Sequence, residues 1–583
     1  MFIVFKTKSP IKVFLNRILF AILFLAGMNM FSFSLFAQEG NEDGKQFHQK
    51  AYQDLHKISI KIEESVADIR SGTPIEIEGE YVYSMAILPE FYKNRDFRPA
   101  WDNWDALMDA NGALQRSYED GLNPEDYHAD ALIRLVSKME HKLKENEFDY
   151  DWVAEFDILI TDAIMLYAFH LLEGKVDPES LDPDWNYAFR EISPDAPYIL
   201  EKHIEAGNVS HALAQLRPRM PIYKMSMDLL SEYRVIKDKG GWGTIEAAGV
   251  IKPGMEDQRL PEIRKRLWIT GELSSDTNMG SLVYDESIVA DIKKFQSRNA
   301  LTADGIIGKG TFEAMNIPVE KKIDALRVNL ERNRWIMANL TSDFIIVNIA
   351  AFKAYYMRDY KVVFSTNVQV GKTYHKTPVF RERLRYIEFN PTWTVPVSII
   401  RSSIIPKMKA DPAYLDNHHF ELIDGSGNIV SNSSVDYENL SASNFRYSVR
   451  QKAGPWNALG EVKFIFPNKH SVYLHDTPSK SLFNQQDRTF SHGCIRTQNP
   501  LSLAEVVLDG SDWTDAKINA TIKSRITTRA VPDKAIDVLL LYWTSGYYDG
   551  DGIGFFKDVY ERDAQVLKRL NEKDARKPGP DLK

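Results

Sequence analysis

A single cysteine occurs in the 583 residues, and it stands in Ser491-His492-Gly493-Cys494-Ile495-Arg496. Filling core space is the common fate of an unpaired cysteine, but packing has no use for Ser-His-Gly ahead of the sulfur. Thiolate chemistry does: a nearby histidine helps to ionise the sulfur, and a glycine leaves backbone N–H groups uncovered where an oxyanion would form. The pattern points to Cys494 as a nucleophile.

Such a nucleophile needs a base brought within hydrogen-bond reach by the fold. The candidate is His475, in Ser471-Val472-Tyr473-Leu474-His475-Asp476. Val472 and Leu474 alternate with Ser471, Tyr473 and His475, which predicts a strand with one apolar face that delivers His475 at its end. Val462, Phe464 and Phe466 alternate in the same way, and Pro467-Asn468-Lys469 between the runs has turn composition. A hairpin whose exit carries His475 is predicted. His470, His475, Asp476, His492 and Cys494 also offer zinc ligands, so a zinc peptidase is an alternative chemistry, although their spacing follows no common zinc pattern.

His475, fifteen intervening residues and then Ser491-His492-Gly493-Cys494 with a hydrophobic Ile495 resembles the signature of the YkuD-type L,D-transpeptidases, cell-wall enzymes of bacteria. Asn390-Pro391-Thr392-Trp393-Thr394-Val395-Pro396, Val370-Gly371-Lys372 and Thr377-Pro378 resemble cleft strands and loops of that domain. Leu88-Pro89-Glu90-Phe91-Tyr92, Asp120-Gly121-Leu122-Asn123-Pro124-Glu125-Asp126-Tyr127 and Leu172-Glu173-Gly174-Lys175-Val176-Asp177-Pro178 resemble the scaffold domain of the large, multi-domain, YcbB-like members. Many members carry asparagine where this chain has Arg496, whereas the large Gram-negative ones often carry arginine.

The resemblance implies a multi-domain α+β protein: a mostly β, sandwich-like catalytic domain, a helical scaffold and a small three-helix peptidoglycan-binding domain. It implies acyl transfer through a thioester on Cys494, with His475 as base and acid. Backbone N–H groups of His492, Gly493 and Cys494 would hold the oxyanion, and the backbone carbonyl of Asp476 would fix the His475 tautomer. Ser491, Arg496, Tyr473 and Trp393 would bind substrate, Arg496 by gripping a carboxylate bidentately. The donor is a tetrapeptide stem that releases D-alanine, and the product is a cross-link between diaminopimelate residues. No metal or organic cofactor is needed, peptidoglycan glycan and stem peptides are the partner, and carbapenems are expected to acylate Cys494. Water as acceptor would make the protein an L,D-carboxypeptidase, a lipoprotein lysine would make it an anchoring enzyme, and a non-catalytic wall-binding scaffold is the remaining alternative.

These residues must be positioned by several folded units, as the length requires. Lys6, Lys8, Lys12 and Arg17 precede an apolar run from about Ile18 to Phe36, then Ala37-Gln38-Glu39-Gly40. This reads as a secretory signal over 1–37 and so a periplasmic protein, with an uncleaved inner-membrane anchor as the alternative. One cysteine gives no disulfide framework, so stability must come from cores. The net charge of −9 with no basic block argues against nucleic acid as a partner. A helical scaffold is expected over 38–275, with Asp151–Leu172 as a buried helix ended by Gly174. A peptidoglycan-binding-like module is expected over 276–318, from Ile288, Val289, Ile292 and Phe295 on one helical face and the Asp304-Gly305 turn. A connecting helix follows over 319–341. Phe344–Ile349, Ala354–Met357 and Lys361–Val370, with a tight turn at Arg358-Asp359, open a β-rich catalytic domain over 342–530; the resemblance implies that an insertion at about 398–446 forms a flap over the cleft, the alternative being a surface insertion of no catalytic consequence. The segment 531–583, with Ile536, Leu539, Leu540 and Trp543, reads as helical and packing back on the scaffold.

Overall fold

The computed structural model describes residues 42–573, except 71–74, 145–148, 182–195, 274–277, 337–339, 438 and 549–551. The expected export segment lies outside the described residues. Those described form the expected multi-domain α+β architecture: a helical scaffold, a small helical module and a catalytic domain built on a curled β-sheet.

The scaffold is organised around the helix Tyr150–Glu173, which is buried on nearly all sides. Its acids explain how so apolar a helix packs in a unique way. Asp157 accepts hydrogen bonds from the Tyr52 and Tyr92 hydroxyls and from the Ala100 and Trp101 amides. Asp162 accepts from the Tyr83 and Ser84 amides and faces His128. Buried carboxylates satisfied in this way fix the surrounding segments, because any other arrangement would leave them unpaired. A two-residue hairpin, β1 (Glu76–Ile77) and β2 (Glu80–Tyr81), is paired nearby.

The module differs from expectation at its start. Its core joins Ile288, Ile292 and Phe295 of helix Glu286–Arg298 and Phe312 and Met315 of helix Lys309–Met315 to Leu260, Ile263 and Leu267 of an upstream helix, Leu260–Ile269. The unit therefore begins before residue 276, and the upstream helix buries even its arginines, Arg264 and Arg266. Gln296 closes the fold by donating to Asp304 Oδ1 and the Ile306 carbonyl while accepting from the Gly305 amide.

After the connecting helix Val319–Ile336 the chain enters the catalytic sheet with β3 (Asp343–Asn348), β4 (Lys353–Arg358) and β5 (Lys361–Gly371). Asp359 and Tyr360 have φ of 48° and 62°, the left-handed pair that a two-residue hairpin of the right twist requires. β6 (Phe380–Arg383) and β7 (Tyr386–Phe389) follow. An insertion comes next, with its own four-stranded sheet of β8 (Trp393–Thr394), β9 (Phe420–Ile423), β10 (Ile429–Val430) and β11 (Ser448–Gln451), and its own core around Ile404, Met408, Leu415, Leu422 and Val449. The main sheet resumes with β12 (Val462–Ile465), β13 (Leu474–His475), β14 (Thr489–Ser491), β15 (Ile495–Thr497) and β16 (Thr528–Ala530).

One strand overturns the reading of the C-terminal segment. Ile536–Leu541 is β17, not helix, and it lies inside the sheet, parallel to β3 and antiparallel to β6. All six of its residues are buried, so no alternation marks it, and a short apolar run is equally compatible with a buried helix. The sheet order is β16-β7-β12-β13-β15-β5-β4-β3-β17-β6, with β14 also paired to β5. The eleven-residue β5 pairs with β4 along its first part and with β15 and β14 at its end, which bends the sheet there. A hairpin of β18 (Ser545–Tyr547) and β19 (Ile553–Phe555) and the helix Asp563–Asn571 are the last elements of the described residues. The Lys175 ammonium donates to the Leu570 carbonyl and Lys573 pairs with Glu80, so the tail docks on the scaffold.

Candidate active site

The predicted hairpin forms: β12 and β13 pair antiparallel, with Val462, Phe464 and Leu474 buried on the core side. β13 then pairs parallel with β15, His475 level with Arg496, and the Ile495 amide donates to the Tyr473 carbonyl at 3.1 Å. Residues level in a ladder share a face, and so do residues two apart in a strand. Tyr473, His475, Cys494 and Arg496 therefore project from one face of two adjacent strands. The loop between β14 and β15 turns at Gly493, whose φ of +114° is a conformation that side-chain-bearing residues rarely adopt.

His475 is buried, with Nδ1 2.5 Å from the Asp476 carbonyl. A carbonyl can only accept, so the Nδ1 proton points there and Nε2 carries the free lone pair. The Asp476 carboxylate is turned elsewhere, to the Glu461 amide and the Lys480 ammonium. Burial, together with the positive charge of Arg496, pulls the His475 pKa down to about 3. Cys494 is half-buried, and its thiol faces the Ser471 carbonyl at 3.8 Å. Burial pushes the thiol pKa up, while hydrogen bonding from Tyr473 and the charges of Lys463 and Arg496 pull it back. Both shifts favour the neutral forms, thiol and imidazole.

Ser491 is buried, and its hydroxyl donates to the Cys494 carbonyl at 2.6 Å and accepts from the Gly493 amide at 3.1 Å. It braces the loop from inside. The Gly493 N–H is therefore spent on Ser491 and does not point out as an oxyanion donor, while among the described residues no hydrogen bond engages the Cys494 N–H. His492 is exposed and its ring lies 5.3 Å from that of His375. Arg496 is half-buried, its Nη1 donating to Gln369 Oε1 at 3.3 Å and its Nε buried without an acceptor. Trp393 lies on β8 with its ring 6.4 Å from that of Phe420, in the insertion's own sheet. The residues of the zinc alternative do not gather: the His470 ring lies tilted against Phe380, centres 5.1 Å apart, the Asp476 carboxylate is engaged as above, and among the described residues no three His, Cys, Asp or Glu side chains form a metal-sized cluster.

Three neighbours escaped the motif reading. Lys463, level with His475 on β12, holds its ammonium 3.9 Å from the Tyr473 ring centre. The alternation that buries Val462 and Phe464 was the available signal, since it sends Lys463 to the face of His475. Thr377 accepts from the Gly371 amide and donates to the Gly493 carbonyl, both at 2.9 Å. Tyr560, from the C-terminal segment, donates its hydroxyl proton to the Gly371 carbonyl at 2.6 Å and accepts from the Thr377 amide at 3.2 Å. Nothing local marks Tyr560.

Residues 342–519 match the family model of the YkuD L,D-transpeptidase catalytic domain, 86–230 that of a scaffold domain, and 257–315 that described as "Putative peptidoglycan binding domain". A Haemophilus influenzae protein named "Putative L,D-transpeptidase" is 36% identical over 264 residues, 44% of this chain and 52% of the relative. The chain thus spans about half the length of the curated relative it matches. The crystal structure of an L,D-transpeptidase from Stackebrandtia nassauensis aligns at 13% identity and a TM-score of 0.21, covering 51% of this chain and 97% of that one. One from Xylanimonas cellulosilytica aligns at 12% and 0.16, covering 51% and 99%; at these scores neither bears on the argument. The chain thus carries, in order, segments that match a scaffold domain, a peptidoglycan-binding domain and the YkuD L,D-transpeptidase catalytic domain.

Proposed function

We propose that the protein is a cysteine-dependent L,D-transpeptidase of peptidoglycan. The observation that carries the reading is the pairing of β13 with β15, which sets His475 and Cys494 on one face with the His475 Nδ1 proton committed to the Asp476 carbonyl. Cys494 sulfur attacks the carbonyl that links diaminopimelate to the terminal D-alanine, and His475 Nε2 takes the thiol proton as the bond forms. The Cys494 N–H holds the oxyanion. The C–N bond breaks, His475 returns the proton to the departing D-alanine amine, and a thioester remains. The side-chain amine of a second stem then attacks the thioester, cross-linking two diaminopimelates and restoring the thiol.

The peptidoglycan-binding module supports peptidoglycan as the partner and the cell envelope, on the periplasmic side, as the location. Among the described residues no helix is long and apolar enough to cross a membrane. The insertion over β8–β11 acts as a flap over the cleft, and carbapenems acylate Cys494. The test is mass spectrometry of products from a disaccharide-tetrapeptide muropeptide with the protein and its Cys494→Ala variant. Cross-linked dimers that vanish in the variant are expected. Tripeptide without dimers would make the protein an L,D-carboxypeptidase, and the absence of any Cys494-dependent product would leave anchoring of a protein lysine or a non-catalytic role.

A further inference from the structure

Lys463 is a half-buried cation that, among the described residues, makes no ion pair, its register neighbour Glu388 pairing with Arg529 instead. Ladder register places six side chains in one row across the sheet: Arg529, Glu388, Lys463, His475, Arg496 and Gln369. The row explains its outer members. Glu388 pairs with Arg529 at 3.4 Å, and Gln369 receives one Arg496 N–H. The middle is unbalanced: two cations flank His475, and among the described residues neither makes an ion pair. The Lys463 ammonium rests on the Tyr473 ring, and the Arg496 Nε is buried without an acceptor.

Withdrawing charge from water without a counter-charge is costly. Burial lowers the pKa of both cations, with only Cys494, and Glu388 beside Lys463, acting in the opposite sense. A neutral imidazole between two unpaired cations, beside an unpaired guanidinium donor, is a place where an anion would complete the electrostatics. A carboxylate suits it, since the guanidinium offers planar donors and the ammonium a point charge.

We propose that Lys463 and Arg496 form a carboxylate-binding cradle across His475, which selects acyl donors bearing a free carboxylate beside the attacked carbonyl over the same donors amidated there. The proposal rests on Cys494 being the residue that is acylated. On a tetrapeptide stem the carboxylate has two sources, the terminal D-alanine and the free carboxyl of diaminopimelate.

Two experiments on the full chain test it. The first compares alkylation of Cys494 by iodoacetate and by the neutral iodoacetamide, a readout that needs no turnover. The cradle predicts that the iodoacetate-to-iodoacetamide rate ratio falls about tenfold in Lys463→Met, which keeps an apolar stem over Tyr473, and is retained in Lys463→Arg. An unchanged ratio in both Lys463→Met and Arg496→Met overturns the proposal. The second measures kcat/KM on the tetrapeptide donor and on donors amidated at one or the other carboxyl. Discrimination against one amide that collapses in Lys463→Met supports the cradle and identifies the carboxylate; equal losses on all three donors overturn it. Failure of the unmodified protein to turn over any donor would sink the transpeptidase reading instead, and the alkylation ratio would still decide on the cradle.

Discussion

His475 is kept neutral by its surroundings, and this decides how Cys494 is activated. The lowered imidazole pKa and the thiol raised by burial disfavour a resting thiolate–imidazolium pair, and on the proposed mechanism the proton moves as the sulfur attacks. Alkylation of Cys494 by iodoacetamide should therefore keep rising through about pH 8.5, the ordinary thiol value, with no plateau near neutrality. A plateau below pH 7 would show a preformed ion pair and defeat this account. Stability follows the same imidazole. The unfolded chain takes up a proton near the ordinary pH of 6.5 and the folded one only near 3, so between these values the unfolded state binds more protons. Stability should fall as pH drops through that window, and a His475→Gln variant should show a shallower fall in thermal melts. At this scale the sequence singled out Cys494 and His475, and the pairing of β13 with β15 places the two on one face. The sequence could not announce that Ser491 consumes the Gly493 N–H, since that depends on how the three-residue loop between β14 and β15 closes.

Elements hold this geometry through contacts far apart in the chain. Tyr560 and Thr377 together bolt the Gly371 end of β5 to the Gly493 carbonyl, one residue before Cys494. A Cβ on Gly371 would overlap the His375 carbonyl and lie 3.1 Å from the Gly493 Cα, so no side chain fits between the two loops. Thr377→Val removes the hydroxyl and keeps the shape. It should lower kcat about 10- to 100-fold with little change in KM, because a small displacement of a reacting atom is expensive, and Thr377→Ser should restore most of the rate. Equal activity of the Val variant at unchanged melting temperature would deny the brace. The β12–β13 hairpin was legible because β12 alternates between buried and half-buried residues. β17 was not, being buried on both faces, and neither was Tyr560, whose partner lies 189 residues away.

At the scale of the molecule, the connecting helix Val319–Ile336 is the joint of the assembly. Glu331 accepts from the Val176 amide and the Trp335 indole, and Arg334 donates to the Asp120 carbonyl and the Tyr223 hydroxyl. Arg332 pairs with Asp563 at 2.7 Å, bringing in the C-terminal segment. Gly174 permits this contact: its φ is +86°, and a Cβ there would stand 2.5 Å from Trp335 Nε1. Gly174→Ala should cost about 2–4 kcal/mol through backbone strain and overpacking, read as a lower midpoint in denaturant. The same view changes where the catalytic unit ends. The family match stops at residue 519, yet β17 forms six register pairs with β3 and four with β6. A chain ended after Ala530 would leave β3 with an open inner edge and β6 without its partner, exposing buried strand faces to water. Such a chain should be insoluble or lack a cooperative melt, whereas one ended after Lys573 should melt as the full chain does and retain Cys494-dependent activity. Cooperative, active protein ending at Ala530 would mean that the sheet closes without β17, and that the docking of the tail on the scaffold is dispensable for the site.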